Sequence, residues 1–119
     1  MTSMQLAGGS RAGAPSLPPA DMADLVKRVA DTQDRGAFRT LYASYGPRVK
    51  ALMLRQGADA ATAEEIAQET LLAVWRKAGL YVVERGSATS WIFTIARNLR
   101  IDRLRREVPW QEYIAEEHD

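Results

Sequence analysis

Residues 61–78 read ATAEEIAQETLLAVWRKA. Ala67, Leu71, Val74, Trp75 and Ala78 recur at spacings of three and four, so a helix through this stretch carries one apolar stripe that must be buried. Glu65 follows Thr62 by three residues, the spacing of a capping box, which predicts a start at Asp59 or Thr62. Gly79 ends the pattern. A helix with one apolar stripe needs partners, and the chain on either side supplies them.

Upstream, residues 37–55 read AFRTLYASYGPRVKALMLR. Phe38, Leu41, Tyr42 and Tyr45 keep helical spacing, Gly46-Pro47 predicts a kink or a break, and Val49, Leu52 and Met53 resume the run until Gly57. Before that, Met22, Leu25, Val26 and Val29 outline a first helix capped by Asp21 and broken at Asp34-Arg35-Gly36. Downstream, Leu80–Ala88 reads as a loop centred on Arg85-Gly86-Ser87. Ser87 or Ser90 then caps a last helix, Thr89–Arg106, with Trp91, Ile92, Ile95, Ala96 and Leu99 as its stripe. Pro109 closes the pattern, and no strand alternation is convincing. The expectation is an all-α, compact bundle of about four helices over residues 21–106. Residues 1–20, rich in Gly, Ser, Pro and Ala, read as a flexible leader, and residues 107–119 as an acidic tail.

Composition narrows the function. The 119 residues fit one domain with a real core, and none of them is cysteine. Disulfides, thiolate nucleophiles and Cys-based zinc sites are therefore excluded. The single histidine, His118, sits in the acidic tail, which argues against a histidine base. No cofactor, metal site or membrane insertion is expected, and no signal peptide precedes the first helix. Glu64, Glu65 and Glu69 lack any supporting catalytic group, so an enzyme is disfavoured.

The formal net charge of +1 conceals an asymmetry. Arg85, Arg97, Arg100, Arg103, Arg105 and Arg106 face one acid, Asp102, in their segment, whereas Glu107, Glu112, Glu116, Glu117 and Asp119 fill the end of the chain. A basic helix beside a loop suits a polyanion; an ordinary solvated helix with a solubilising tail is the alternative. Asn98 adds a group able to bond a base edge, and Tyr81, Trp91 and Phe93 could stack on unpaired bases. Trp91 also reads as core, and its truncation would then cost roughly 3–5 kcal/mol. Phe93 is expected on the side opposite the stripe. On the third helix Glu65, Gln68, Glu69, Leu72 and Arg76 share a face, which fits either a partner helix with basic groups or simple solvation.

Taken in order, AFRTLYASYGPRVKALMLR, ATAEEIAQETLLAVWRKA and RGSATSWIFTIARNLRIDRLRR resemble region 2 of extracytoplasmic-function sigma factors, the small bacterial factors that direct RNA polymerase to promoters. The resemblance runs from about Asp21 to Arg106. It implies that Glu65, Gln68, Glu69, Leu72 and Arg76 dock on the clamp helices of the largest subunit of core RNA polymerase. It implies that Tyr81, Arg85, Ser87, Trp91, Arg97, Asn98, Arg100 and Arg103 meet the non-template strand of the promoter minus-ten element. In that picture the loop forms a pocket for a flipped base, Asn98 lies at the pocket, and the arginines hold phosphates. An anti-sigma partner and a cytoplasmic location are implied as well. Family members often carry an FDPxRG-like loop; here Tyr81-Val82-Val83-Glu84-Arg85-Gly86 keeps only the Arg-Gly. The family's second DNA-reading domain, region 4, has no counterpart in these residues, so the chain reads as a fragment ending at the start of the interdomain linker. A module that only titrates an anti-sigma factor or core polymerase remains the alternative function.

Overall fold

A computed structural model describes residues 19–107 of the chain, with side chains from Asp21 onward. Residues 1–18 of the expected leader and the acidic tail after Glu107, with Pro109 and His118, lie outside the described residues, whereas Pro19 and Ala20, expected in the leader, open the first helix. Four α-helices follow in order: α1 (Pro19–Thr32), α2 (Arg35–Arg55), α3 (Ala60–Lys77) and α4 (Ala88–Glu107). Two short 3-10 turns, Ala78–Leu80 and Val83–Arg85, fill the connection between α3 and α4. No strand occurs among the described residues.

The caps explain where the helices begin. Asp34 closes the short break after α1: its Oδ1 accepts from the Ala37 amide at 3.0 Å, so α2 starts at Arg35, two residues before Ala37. Asp59 does the same for α3, accepting from the Thr62 amide at 2.7 Å. The predicted Thr62–Glu65 capping box is therefore not the device used: the helix starts at Ala60, so Thr62 already lies inside its first turn and its own amide is the orphan donor that Asp59 satisfies. Asp21 is not a cap either; α1 begins at Pro19 and Asp21 falls in its first turn. Ser87 Oγ accepts from the Ser90 amide at 3.0 Å, which fixes the start of α4 at Ala88.

Pro47 does not break α2, which runs continuously for 21 residues. Pro47 and Ala43 are both exposed. The carbonyl deprived of its partner by the proline thus faces solvent, where the missing bond is cheapest. Gly57, at φ +100°, takes the left-handed conformation that turns the chain away from α2 toward the Asp59 cap.

Two adjoining clusters make the core. Met22, Val26 and Val29 of α1 pack with Leu41 and Tyr45 of α2, Leu71 and Val74 of α3, and Ile92 of α4. Val49 and Met53 of α2 meet Ala63, Ile66 and Ala67 of α3 and Ala96 of α4. Phe93 packs against both clusters, so it lies inside the seam and not on the opposite side as expected. Its ring meets Tyr45 edge-on at 6.3 Å between centroids. The buried Tyr45 hydroxyl and Thr89 Oγ1 share a hydrogen bond of 2.6 Å, pinning the first turn of α4 to the middle of α2. Thr70 is buried but satisfied, donating to the Ile66 carbonyl at 2.7 Å.

Leu71 is fully buried between the other helices. Leu71→Ala is expected to lower unfolding free energy by about 2–5 kcal/mol, and Asp34→Ala by about 1 kcal/mol, as read by urea denaturation.

Candidate functional site

The face of α3 turned away from the core keeps Glu65, Gln68, Leu72 and Arg76 exposed, with Glu69 half-buried beside them. Leu72 leaves 45% of its surface open, an apolar side chain in a polar setting with no intramolecular need to be there. Gln68 Nε2 donates to Glu64 Oε2 at 3.2 Å, and Lys50 of α2 pairs with Glu64 Oε1 at 3.2 Å. The hydrogen bond from Lys50, then that from Gln68 and the Lys50 charge, hold the Glu64 carboxyl below its ordinary value of 4.5. Glu64 is thus engaged with α2 and does not belong to the face formed by Glu65, Glu69 and Leu72.

The connection after α3 forms the second feature. Leu80, Tyr81, Val82, Arg85, Gly86, Ser87, Ser90, Trp91 and Thr94 enclose an open cleft of about 260 Å³. Tyr81 and Trp91 lie 5.4 Å apart at a tilt of 43° and form its aromatic wall. The Tyr81 hydroxyl donates to the Gly86 carbonyl at 2.9 Å, tying the loop across its own width. Burial pushes the Tyr81 phenol above its ordinary value of 10.0, with smaller rises from Tyr45 and Glu84, so it stays protonated and able to donate. Gly86, at φ +149°, adopts backbone geometry that a side chain would strain. Trp91 is half-buried, one flank on the core and the other on the cleft, so it is not the plain core residue that its stripe position implied.

Of the eight residues expected to meet nucleic acid, Tyr81, Arg85, Ser87 and Trp91 line this cleft. Asn98 does not; it is exposed one turn beyond Thr94 on α4. Ser90 and Thr94 are cleft residues that the sequence reading passed over. The ladder Ser87, Ser90, Thr94, Asn98, at spacings of three and four, was the available signal, because it places four small polar groups on one side of a helix. Leu80 (71% exposed) and Val83 (58% exposed) were also missed as apolar side chains offered to solvent.

The arginines of α4 divide. Arg97, Arg105 and Arg106 are exposed. Arg100 is half-buried, and its Nη2 donates to the Gln56 carbonyl at the end of α2 at 3.0 Å. Arg103 turns inward: Nη1 lies 3.0 Å from Glu65 Oε1 and Nη2 3.2 Å from Glu69 Oε2. Two residues expected to dock a protein partner and one expected to hold phosphate are therefore in contact. Arg48 of α2 reaches across to α4 and sits over the Tyr45 and Phe93 rings at 5.0 and 5.5 Å.

With this geometry in view, the profile of the Sigma-70 region 2 family matches residues 41–108, more than half of the chain. The chain belongs to that family, in its extracytoplasmic-function branch. It is 42% identical over 87 residues to the ECF RNA polymerase sigma factor RpoE of Cereibacter sphaeroides, covering 73% of this chain and 48% of that protein. It is 38% identical over 87 residues to the ECF RNA polymerase sigma factor SigK of Mycobacterium bovis, covering 73% and 46%. The crystal structure of Rhodobacter sphaeroides SigE in complex with the anti-sigma ChrR superimposes with a TM-score of 0.70 at 40% identity, over 78% of this chain and 57% of SigE. The region 2 chain spans about half the length of the curated relatives it matches. No helix among the described residues is long and apolar enough to cross a membrane.

Acid titration offers a check on the α3 contacts. The hydrogen bonds from Thr62 hold the Asp59 carboxyl below its ordinary value of 3.8, and Glu64 is lowered as described. Depressed carboxylates stabilise the fold above their unfolded values and lose that contribution as pH falls through the folded ones. Asp59→Asn/Glu64→Gln is therefore expected to flatten the fall of the urea midpoint below about pH 4.5, relative to wild type.

Proposed function

We propose that this region 2 domain joins core RNA polymerase to the minus-ten element of a promoter. The exposed α3 face of Glu65, Gln68, Glu69, Leu72 and Arg76 docks on the clamp helices of the largest subunit. The α3–α4 loop and α4 take the non-template strand. The observation carrying this reading is the placement of two chemically different surfaces on adjacent helices of one rigid unit: carboxylates and a leucine on α3, an aromatic cleft and arginines on α4.

Each surface suits its ligand. Acidic and amide groups around an exposed leucine complement a helix with basic side chains, the charges selecting the partner and the leucine filling its groove. A base unstacked from the duplex can lie against Tyr81 or Trp91 and meet the hydroxyls of Ser87, Ser90 and Thr94. Arg97, Asn98, Arg100, Arg105 and Arg106 follow along α4, where the strand continues, and Arg85 flanks the loop. Opening the duplex costs a few kcal/mol per base, which stacking and phosphate contacts can offset. The role is one of binding and positioning, not enzymatic turnover, and it is exercised in the cytoplasm with the polymerase. Control by an anti-sigma partner is supported by SigE, solved in complex with ChrR. Such a partner would compete for the same two surfaces. The helices from Pro19 to Glu107 act as the domain.

Binding of the whole chain to core RNA polymerase tests the reading. Gln68→Ala/Leu72→Ala is expected to weaken it about tenfold or more, equivalent to about 1.4 kcal/mol, with helicity by circular dichroism unchanged. Arg97→Ala/Arg105→Ala is expected to leave polymerase binding intact. It should reduce the salt slope for a non-template minus-ten strand by about 0.7 for each phosphate that is no longer neutralised. Polymerase binding with no preference for minus-ten over scrambled strands would instead identify a titrating module.

A further inference from the structure

We propose that Arg103 is a latch between the two surfaces. It is held by Glu65 and Glu69 in the free chain and released to a nucleic-acid phosphate when a cationic partner takes those carboxylates. The inference rests on the polymerase and promoter reading above, and adds to it a coupling between the two binding events.

Arg103 closes an ion pair across 38 and 34 residues of chain, one guanidinium nitrogen to each carboxylate. Exposure gives the contact a direction. Only 21% of the Arg103 side chain is open, against 58% of Glu65 and 44% of Glu69. The carboxylates are the more open side of the pair, available to an incoming cation, and the guanidinium is the less open side, with both of its terminal nitrogens already engaged. A phosphodiester brings one negative charge against the two that already hold Arg103, so on its own it competes poorly. The latch is also incompletely satisfied: Nε is buried and has no acceptor among the described residues. Release lets that donor bond as well, and a freed arginine offers a phosphate its paired N–H groups.

The other α4 arginines do not share this arrangement. Among the described residues Arg97, Arg100, Arg105 and Arg106 form no ion pair with a carboxylate, and Glu64 is taken by Lys50. Among the described residues, Arg103 alone joins the strand-binding helix to the partner-docking face through charge. Linkage then works in both directions: a partner cation on Glu65 and Glu69 raises affinity for phosphate, and phosphate on Arg103 raises affinity for the partner by the same factor.

The test measures binding of the whole chain to a fluorescent oligothymidylate strand across a salt series. Glu65→Gln/Glu69→Gln mimics neutralisation by the partner. It is expected to bind about fivefold tighter or more, with a slope against log salt steeper by about 0.7. Arg103→Gln keeps a helix former and removes the charge that the proposal gives to the phosphate. In the double carboxamide background it should abolish the gain. Glu64→Gln removes a carboxylate from the same helix without touching the latch, so it should leave the slope alone. Equal slopes for wild type and the carboxamide variant would overturn the latch, as would a gain that survives Arg103→Gln in the carboxamide background. No binding by any variant would overturn the strand-binding reading itself, and the latch with it.

Discussion

Burial of α3 on two sides is the constraint on which the rest of the molecule depends. Ala63, Ile66, Ala67, Thr70, Leu71 and Val74 are all closed off, against α2 on one flank and α4 on the other. Each fully buried aliphatic side chain contributes on the order of 1.5–3 kcal/mol. The small residues at 63 and 67 let the neighbouring backbones approach. With the inner half fixed in this way, the outer half has only one orientation available, and Glu65, Gln68, Leu72 and Arg76 are presented together. The same packing sets α4 in register through Ile92 and Ala96, so its polar ladder follows on from the loop cleft.

Charge is distributed over this scaffold unevenly. The exposed ion pairs elsewhere, such as Lys27–Asp31 at 3.1 Å within α1, lie in high dielectric and contribute little. The Arg103 pair differs because it is partly shielded and joins helices that carry different surfaces. Tyr45 does a comparable job without charge, its hydroxyl holding Thr89 at the root of α4 while its ring stays in the core. Orientation of α4 is thus fixed at one end by a neutral hydrogen bond and toward the other by ion pairs. The first is permanent packing; the second is open to competition.

Periodicity carried most of the architecture. The α3 stripe and the α4 positions Ile92 and Ala96 were legible because burial on one side imposes a spacing of three and four whatever the partner. Local chemistry was harder to read. Thr62 and Asp59 both offer an oxygen to the first turn of α3, and only the backbone path decides that Asp59 is nearer. Pro47 looks like a break in sequence, yet nothing in a one-dimensional pattern says that its unpaired carbonyl would face solvent. Phe93 was misassigned because α4 is gripped on more than one side, which a single stripe cannot represent. The family's docking and strand-binding positions were named from resemblance, and the structure adds the neighbours: Ser90 and Thr94 in the cleft, Asn98 a turn beyond it. The contact of Arg103 with Glu65 and Glu69 had no sequence signal at all, since the groups are more than 30 residues apart in the chain.

On the proposed reading the two surfaces take separate ligands yet are fixed to each other. Amide and side-chain NMR of the labelled chain tests this most directly, titrated in turn with a clamp-helix fragment of the polymerase and with a non-template minus-ten strand. The fragment is expected to shift Glu65, Gln68, Glu69, Leu72 and Arg76, while the strand shifts Tyr81, Ser87, Ser90, Trp91, Thr94, Arg97 and Asn98. Perturbation of one common set of residues by both ligands would contradict the two-surface arrangement.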